Sequence, residues 1–196
     1  MNNIQELTKQ IDELKGQLRQ ARLLNAPEPF TDYKFEVEGG STTLSQLFGD
    51  SPDLLIWHNM GLSCNYCTLW ADGLAGFFKQ IESRCPIVLV SPDQVAVQKR
   101  VASARNWQFR MVRDADKAFS KATGFYTEEG GMPGFWPGLS AFHKDENGSI
   151  VRTNFTVFGP GDDFCPVWPC LELLKGGIAG WEPEEVNTES LSALAH

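Results

Sequence analysis

The chain has 196 residues, 42% hydrophobic and 21% charged, with a formal net charge of −8. That length suits one domain with extensions, able to bury a core without disulfide staples. No apolar run approaches the roughly 20 residues that span a bilayer, and no stripe of Lys or Arg is present to neutralise phosphates, so membrane and nucleic acid are not expected partners.

In chain order, Ile4, Leu7, Ile11, Leu14, Leu18 and Ala21 alternate by three and four, which predicts an amphipathic helix with one narrow apolar seam. Because three heptads are short for a coiled coil, the seam is expected to pack on its own domain; a homodimer through this helix is the alternative. The basic start and apolar block of a signal peptide are missing, so a cytoplasmic location is expected. Ala26-Pro27-Glu28-Pro29 stops the helix. Tyr33 to Val37 reads as a half-buried strand, Gly39-Gly40 as a turn, and Leu44 to Phe48 as one helical turn.

Leu54-Leu55-Ile56-Trp57-His58 has the character of a buried strand. Cys64-Asn65-Tyr66-Cys67 follows, then apolar positions Leu69, Leu74, Phe77, Phe78 and Ile81 at helical spacing to about Ser83. The cysteines thus fall at the start of a helix, where unpaired backbone donors and the helix dipole favour thiolate. Five cysteines are too few and too unevenly placed for a disulfide scaffold, and in a reducing compartment a close pair points to redox or metal chemistry. Downstream, Pro86 to Val90 reads as a parallel-type strand, Ser91-Pro92-Asp93 as an N-cap-like start of a helix to about Asn106, Phe109 to Arg113 as a strand and Asp116 to Thr123 as a short helix. Gly130 to Gly138 is expected to be loop. Leu139 to His143 and Ser149 to Phe158 flank Asp145-Glu146-Asn147-Gly148, a hairpin signal. Leu171 to Leu174 is a candidate last helix, and the tail after Trp181 is polar.

Strand, Cys-x-x-Cys helix, strand, helix, then a proline loop and a β-hairpin resemble the thioredoxin fold. The expected class is α/β, a thioredoxin-like mixed sheet flanked by helices, with an N-terminal amphipathic helix over 1–26, a domain over 27–180 and a polar tail over 181–196. The resemblance implies a cis-proline beside the cysteine pair; Pro137 occupies that place and Pro133 is the second candidate. Leu44-Ser45-Gln46-Leu47-Phe48, the Cys64/Cys67 pair and Trp70-Ala71-Asp72-Gly73 are similar to a largely uncharacterised bacterial thioredoxin-like family. Ser63, Asn65 and Tyr66 depart from the ordinary thioredoxin pattern, so redox potential and partner preference do not carry over. Peroxiredoxins need Thr or Ser three residues before the attacking cysteine; here Gly61 precedes Cys64, and Cys64 precedes Cys67, at that spacing.

The expected function is thiol-disulfide exchange with a protein or low-molecular-weight disulfide, with no cofactor beyond the dithiol. Cys64 attacks and Cys67 resolves. Trp136 and Pro137 are candidate substrate contacts, and Trp70 is expected to shape an apolar groove beside the pair. His58 and Asp72 are candidates for tuning the thiols, each with a plainer reading: a hydrogen bond at a strand end, or a carboxylate favoured early in a helix. Cys165 and Cys170 are expected to pack, as is Cys85. The alternative function is a non-catalytic binding protein on the same fold, with zinc held by the two cysteine pairs.

Overall fold

The computed structural model describes residues 3–129 and 133–184. Helix α1 (Asn3–Leu23) leads to a short strand β1 (Glu28–Phe30), the hairpin β2 (Lys34–Val37) and β3 (Gly40–Thr43), and the single turn α2 (Leu44–Leu47). Then come β4 (Asp53–His58), α3 (Asn65–Glu82), β5 (Ile87–Ser91), α4 (Val95–Ala104), β6 (Arg110–Arg113) and α5 (Ala118–Ala122). A two-residue ladder, β7 (Tyr126–Thr127) with β8 (Gly134–Phe135), precedes β9 (Gly138–Lys144), β10 (Ile150–Val157) and α6 (Val167–Glu172).

The main sheet runs β1-β10-β9-β4-β5-β6-β2-β3, with β4, β5 and β6 parallel and β9 and β10 antiparallel. Successive side chains of a strand point to opposite faces, so the continuous apolar runs of β4 and β5 feed two cores. Trp57, Ile87 and Leu89 pack with Trp70, Ala71, Leu74 and Phe78 of α3 and with Trp168 of α6. Leu54, Ile56, Val88 and Val90 pack on the other face with Phe35, Leu44, Leu47, Phe48 and Phe119. Strands buried on both faces explain why these segments show no polar alternation. Thr43 starts α2 with a reciprocal capping box to Gln46.

Several expectations are corrected. The seam of α1 is not covered: no residue of that helix is buried, and Leu7, Ile11, Leu14 and Leu18 are about half exposed. The segment expected only to stop the helix pairs with β10 as an edge strand, Pro29 opposite Val151; at an edge, proline's missing donor is tolerated. Asp93 does not cap α4, whose N-cap is Gln94. In the stretch expected to be loop, Gly134 and Phe135 pair with Thr127 and Tyr126, while 130–132 lie outside the described residues. The last helix starts at Val167, ahead of the expected Leu171, because Pro169 falls within its first turn, where no donor is required. Most of the polar tail, 185–196, also lies outside the described residues.

Among the described residues every peptide is trans, so Trp136–Pro137 lacks the cis geometry that the resemblance implied. The chain there is tied on both sides: Trp136 N–H donates to the Phe125 carbonyl at 2.8 Å, and the Pro137 carbonyl accepts from Phe158 N–H at 3.0 Å. Gly138 then enters the sheet between His58 and Val157. A Cβ on Gly138 would collide with the Phe125 ring and the Thr156 carbonyl, so only glycine lets the Trp136-Pro137 segment approach the sheet this closely. No described helix is long and apolar enough to cross a membrane.

Candidate functional site

The loop between β4 and α3 is built to present Cys64. Asn59, buried at the end of β4, accepts Gly61 N–H on Oδ1 at 2.7 Å, turning the chain sharply. Gly61 has φ +101°, which favours glycine, and a Cβ there would press on the Asp93 carboxylate at 3.2 Å. Asp93 then holds the loop from below: its Oδ2 accepts Leu62 N–H at 3.0 Å and the Ser91 hydroxyl at 2.8 Å. Cys64 emerges at the N-cap of α3 with extended backbone.

There the two thiols become unequal. Cys64 Sγ accepts Cys67 N–H at 3.2 Å, the bond a Ser or Asp oxygen makes at other helix starts. A hydrogen bond from the Cys67 thiol, then the backbone N–H groups of Cys67 and Tyr66, outweigh partial burial and bring Cys64 down from 9.0 to about 6. Cys67 faces inward at 1% exposure, and its Sγ accepts Met60 N–H at 3.4 Å. Its bond to Cys64, burial, and the charges of Cys64 and Asp93 push its pKa well above the ordinary thiol range. One sulfur is a half-buried thiolate and the other a shielded thiol, as nucleophile and resolving partner must be.

Cys64 opens onto a groove of about 510 Å³. Met60, Tyr66, Trp70, Phe135, Trp136, Pro137, Phe158 and Pro160 line it, and among the described residues none of the lining is acidic or basic. Tyr66 is braced by stacking on Trp168 at 5.9 Å, and Trp70 by Phe158 at 5.5 Å. The Trp70 indole N–H is buried with no acceptor among the described residues. Cys64, Trp70, Trp136 and Pro137, all expected near the reaction, therefore meet in one place.

His58 and Asp72 do not join them. Residues 54, 56 and 58 share the face of β4 opposite α3, so the His58 ring lies stacked between Phe125 at 3.8 Å and Phe119 at 5.7 Å, with Nε2 bonded to Ser140 Oγ at 2.9 Å. Burial, then the Arg152 charge, drives its pKa well below 6.5, so it is a neutral core residue. Asp72 binds Arg105 at 2.7 Å and the Trp107 indole at 2.9 Å, tying α3 to the end of α4. The carboxylate that acts on Cys67 is Asp93. Its only sequence signal, Ser91-Pro92-Asp93, reads equally well as a helix start. Phe158 to Pro160, which also line the groove, carried no signal beyond the end of a strand. Replacing Asp93 with Asn keeps an oxygen for Leu62 N–H but removes the charge, so Cys67 is expected to titrate closer to the ordinary thiol range in Asp93→Asn; thiol-specific NMR or ultraviolet titration of the two sites reads this.

The remaining cysteines stand apart. Cys165 is buried among Trp57, Trp70, Phe158 and Trp168, Cys85 is buried just before β5, and Cys170 is exposed. Burial raises the pKa of Cys85 and of Cys165. Among the described residues no three His, Cys, Asp or Glu side chains are placed to hold a metal ion.

A family model described as "Bacterial protein of unknown function (DUF899)" matches residues 1–181. The chain belongs to this family. No curated protein matches it. Solved structures similar to it include reduced Prx3 from Vibrio vulnificus, at 20% identity over 69% of this chain and 88% of that one, with a TM-score of 0.54. Another is the bacterioferritin comigratory protein of Xanthomonas campestris, described for alkyl peroxide reduction, at 19% identity over 64% and 80% with a TM-score of 0.53. A peroxiredoxin-like protein from Aquifex aeolicus matches at 15% identity over 67% and 74%, with a TM-score of 0.54. At these identities the likeness establishes the fold, which is thioredoxin-like.

Proposed function

We propose that this member of the family is a thiol-disulfide oxidoreductase working through Cys64 and Cys67 on apolar disulfides, on a protein or a small molecule. The observation that carries the reading is the inequality of the two thiols: Cys64 is lowered to about 6 at the rim of a groove, while Cys67 is raised and shielded behind it. In the first step the Cys64 thiolate attacks one sulfur of the substrate disulfide. An S–S bond forms to Cys64, the substrate's own bond breaks, and the leaving thiolate takes up a proton. Cys64 is then neither charged nor an acceptor for the Cys67 thiol. Two of the influences that raised Cys67 vanish, and its proton can leave. Cys67 attacks the Cys64 sulfur, closing the intramolecular disulfide and releasing the second substrate thiolate. The protein loses two electrons and the substrate gains them.

The groove sets substrate class. Among the described residues its lining is aromatic rings, proline and methionine without a cation, so it favours apolar or aromatic groups flanking the disulfide over carboxylates. Single-turnover oxidation of the reduced protein is expected to run at least about tenfold faster with an uncharged aromatic disulfide than with glutathione disulfide, a difference worth roughly 1.4 kcal/mol. Hydroperoxides are expected to react slowly, because neither Gly61 nor any other residue three positions before Cys64 or Cys67 supplies a Thr or Ser hydroxyl. If fully reduced protein consumes none of these oxidants, the dithiol reading fails and the non-catalytic binding role takes its place.

A further inference from the structure

Helix α1 carries an apolar stripe that its own domain leaves in water. Leu7, Ile11, Leu14 and Leu18 are 49%, 51%, 61% and 48% exposed. Their spacing is a heptad, with Ile4, Ile11 and Leu18 at position a and Leu7, Leu14 and Ala21 at position d. The helix touches the domain along one flank and at its end. Lys15 Nζ lies 2.7 Å from Asp163 Oδ1, the Arg22 carbonyl accepts Asn154 Nδ2 at 3.2 Å, and Asn25 Nδ2 donates to the Thr153 carbonyl at 2.8 Å. Lys15 is an e position, so its ion pair sets the domain on the e side, while the main-chain contact of Arg22 and that of Asn25 lie at the helix end; the a and d side chains stay about half exposed or more.

We propose that a second copy of this chain covers the stripe, the two α1 helices forming a parallel two-stranded coiled coil. Isoleucine at a with leucine at d in the first two heptads is the combination that selects two strands over three or four. Orientation follows from the flanks. The e positions are Thr8, Lys15 and Arg22, and the g positions include Gln10 and Gln17. A parallel pair sets each e residue beside a g residue of the other copy, so both cations meet neutral glutamines. An antiparallel pair sets e beside e and brings Lys15 against a second Lys15. In the parallel pair the two e flanks also lie on opposite sides of the seam, so the two domains, each docked on its own e flank, do not collide. The groove at Cys64 takes no part, so this inference stands apart from the redox reading.

Sedimentation equilibrium of the full chain is expected to show a reversible dimer at micromolar concentration. The double variant Leu7→Glu/Leu14→Glu should weaken it at least about a hundredfold, since charges replace packed leucines on both copies. The domain should be unaffected, because it buries neither side chain; unchanged near-ultraviolet dichroism checks this. Gly16 occupies the outward f position, where a Cβ meets only Arg19 Nη2 at 3.8 Å. Gly16→Ala, which adds one methyl away from the seam of a helix already formed in the single chain, should leave the dimer assembled. Gln10→Lys, facing Lys15 only in the parallel arrangement, should weaken it. A monomer throughout, a trimer or larger species, a dimer indifferent to Leu7→Glu/Leu14→Glu, one not weakened by Gln10→Lys, or one that appears only when 185–196 is removed overturns the proposal.

Discussion

Cys64→Ser is expected to lower disulfide turnover by at least roughly a thousandfold, because a serine hydroxyl at neutral pH supplies almost no anionic nucleophile and forms no mixed disulfide. Cys67→Ser should behave differently. It can still attack through Cys64 but cannot resolve, so the substrate half remains bonded to Cys64 and appears in the intact mass. The conservative variant carries further information. Serine at 67 keeps an O–H that can donate to the Cys64 sulfur, and Cys67→Ala does not. Since the side-chain bond from Cys67 is the first of the influences that lower Cys64, Cys64 should titrate higher in Cys67→Ala than in Cys67→Ser. Equal Cys64 titration in the two variants would show that the backbone donors alone hold the thiolate. Undiminished turnover in Cys64→Ser would remove Cys64 from the reaction.

The rate of Cys64 alkylation by iodoacetamide should rise with a midpoint near pH 6, and Cys67 should stay unlabelled. At pH 7 a thiol of pKa about 6 is roughly 90% ionised against about 1% for one near 9. Intrinsic nucleophilicity falls with pKa, by roughly 15- to 30-fold over that interval, so the net advantage at pH 7 is only about 3- to 6-fold. At pH 5 it grows to roughly 30- to 60-fold over an unperturbed cysteine, because the latter has almost no thiolate left. Mild acid is therefore where the site is most distinct. Stability follows the same protons. Between pH about 6 and 9 the unfolded chain holds a proton that folded Cys64 has lost, so the reduced protein gains stability as pH rises and loses it as pH falls through 6. Above pH 9 the sign reverses, because folded Cys67 keeps a proton that the unfolded chain gives up. Thermal unfolding of the reduced protein should thus be most resistant near pH 8 to 9, and the disulfide form should lack this dependence. Stabilising the reduced thiolate also moves the couple toward the oxidising side of an unperturbed dithiol pair.

Most of the fold was legible in the chain because its signals are local. The runs of β4 and β5, the helical spacing after Cys67 and the Asn147-Gly148 turn each specify an element through neighbours a few residues apart. The placement of Cys64 at the N-cap of α3 follows from the same local pattern, and so does the expectation of a lowered thiol. Tertiary structure decided what depends on direction across the sheet. His58 lies six positions before Cys64, yet strand alternation turns it to the opposite face, into the Phe119–Phe125 stack. Asp72 lies two turns into α3 and Asp93 just before α4, and only packing sends one to Arg105 and the other to the Gly61–Leu62 loop. Part of the groove lining comes from Phe158 to Pro160, 94 to 96 residues beyond Cys64, and no local pattern encodes that meeting. By itself the sequence determined two cysteines at a helix start within a thioredoxin-like order of elements. Only the tertiary structure buried Cys67 and gave Cys64 an apolar groove, because burial and long-range contacts, unlike periodicity, are properties of the folded chain.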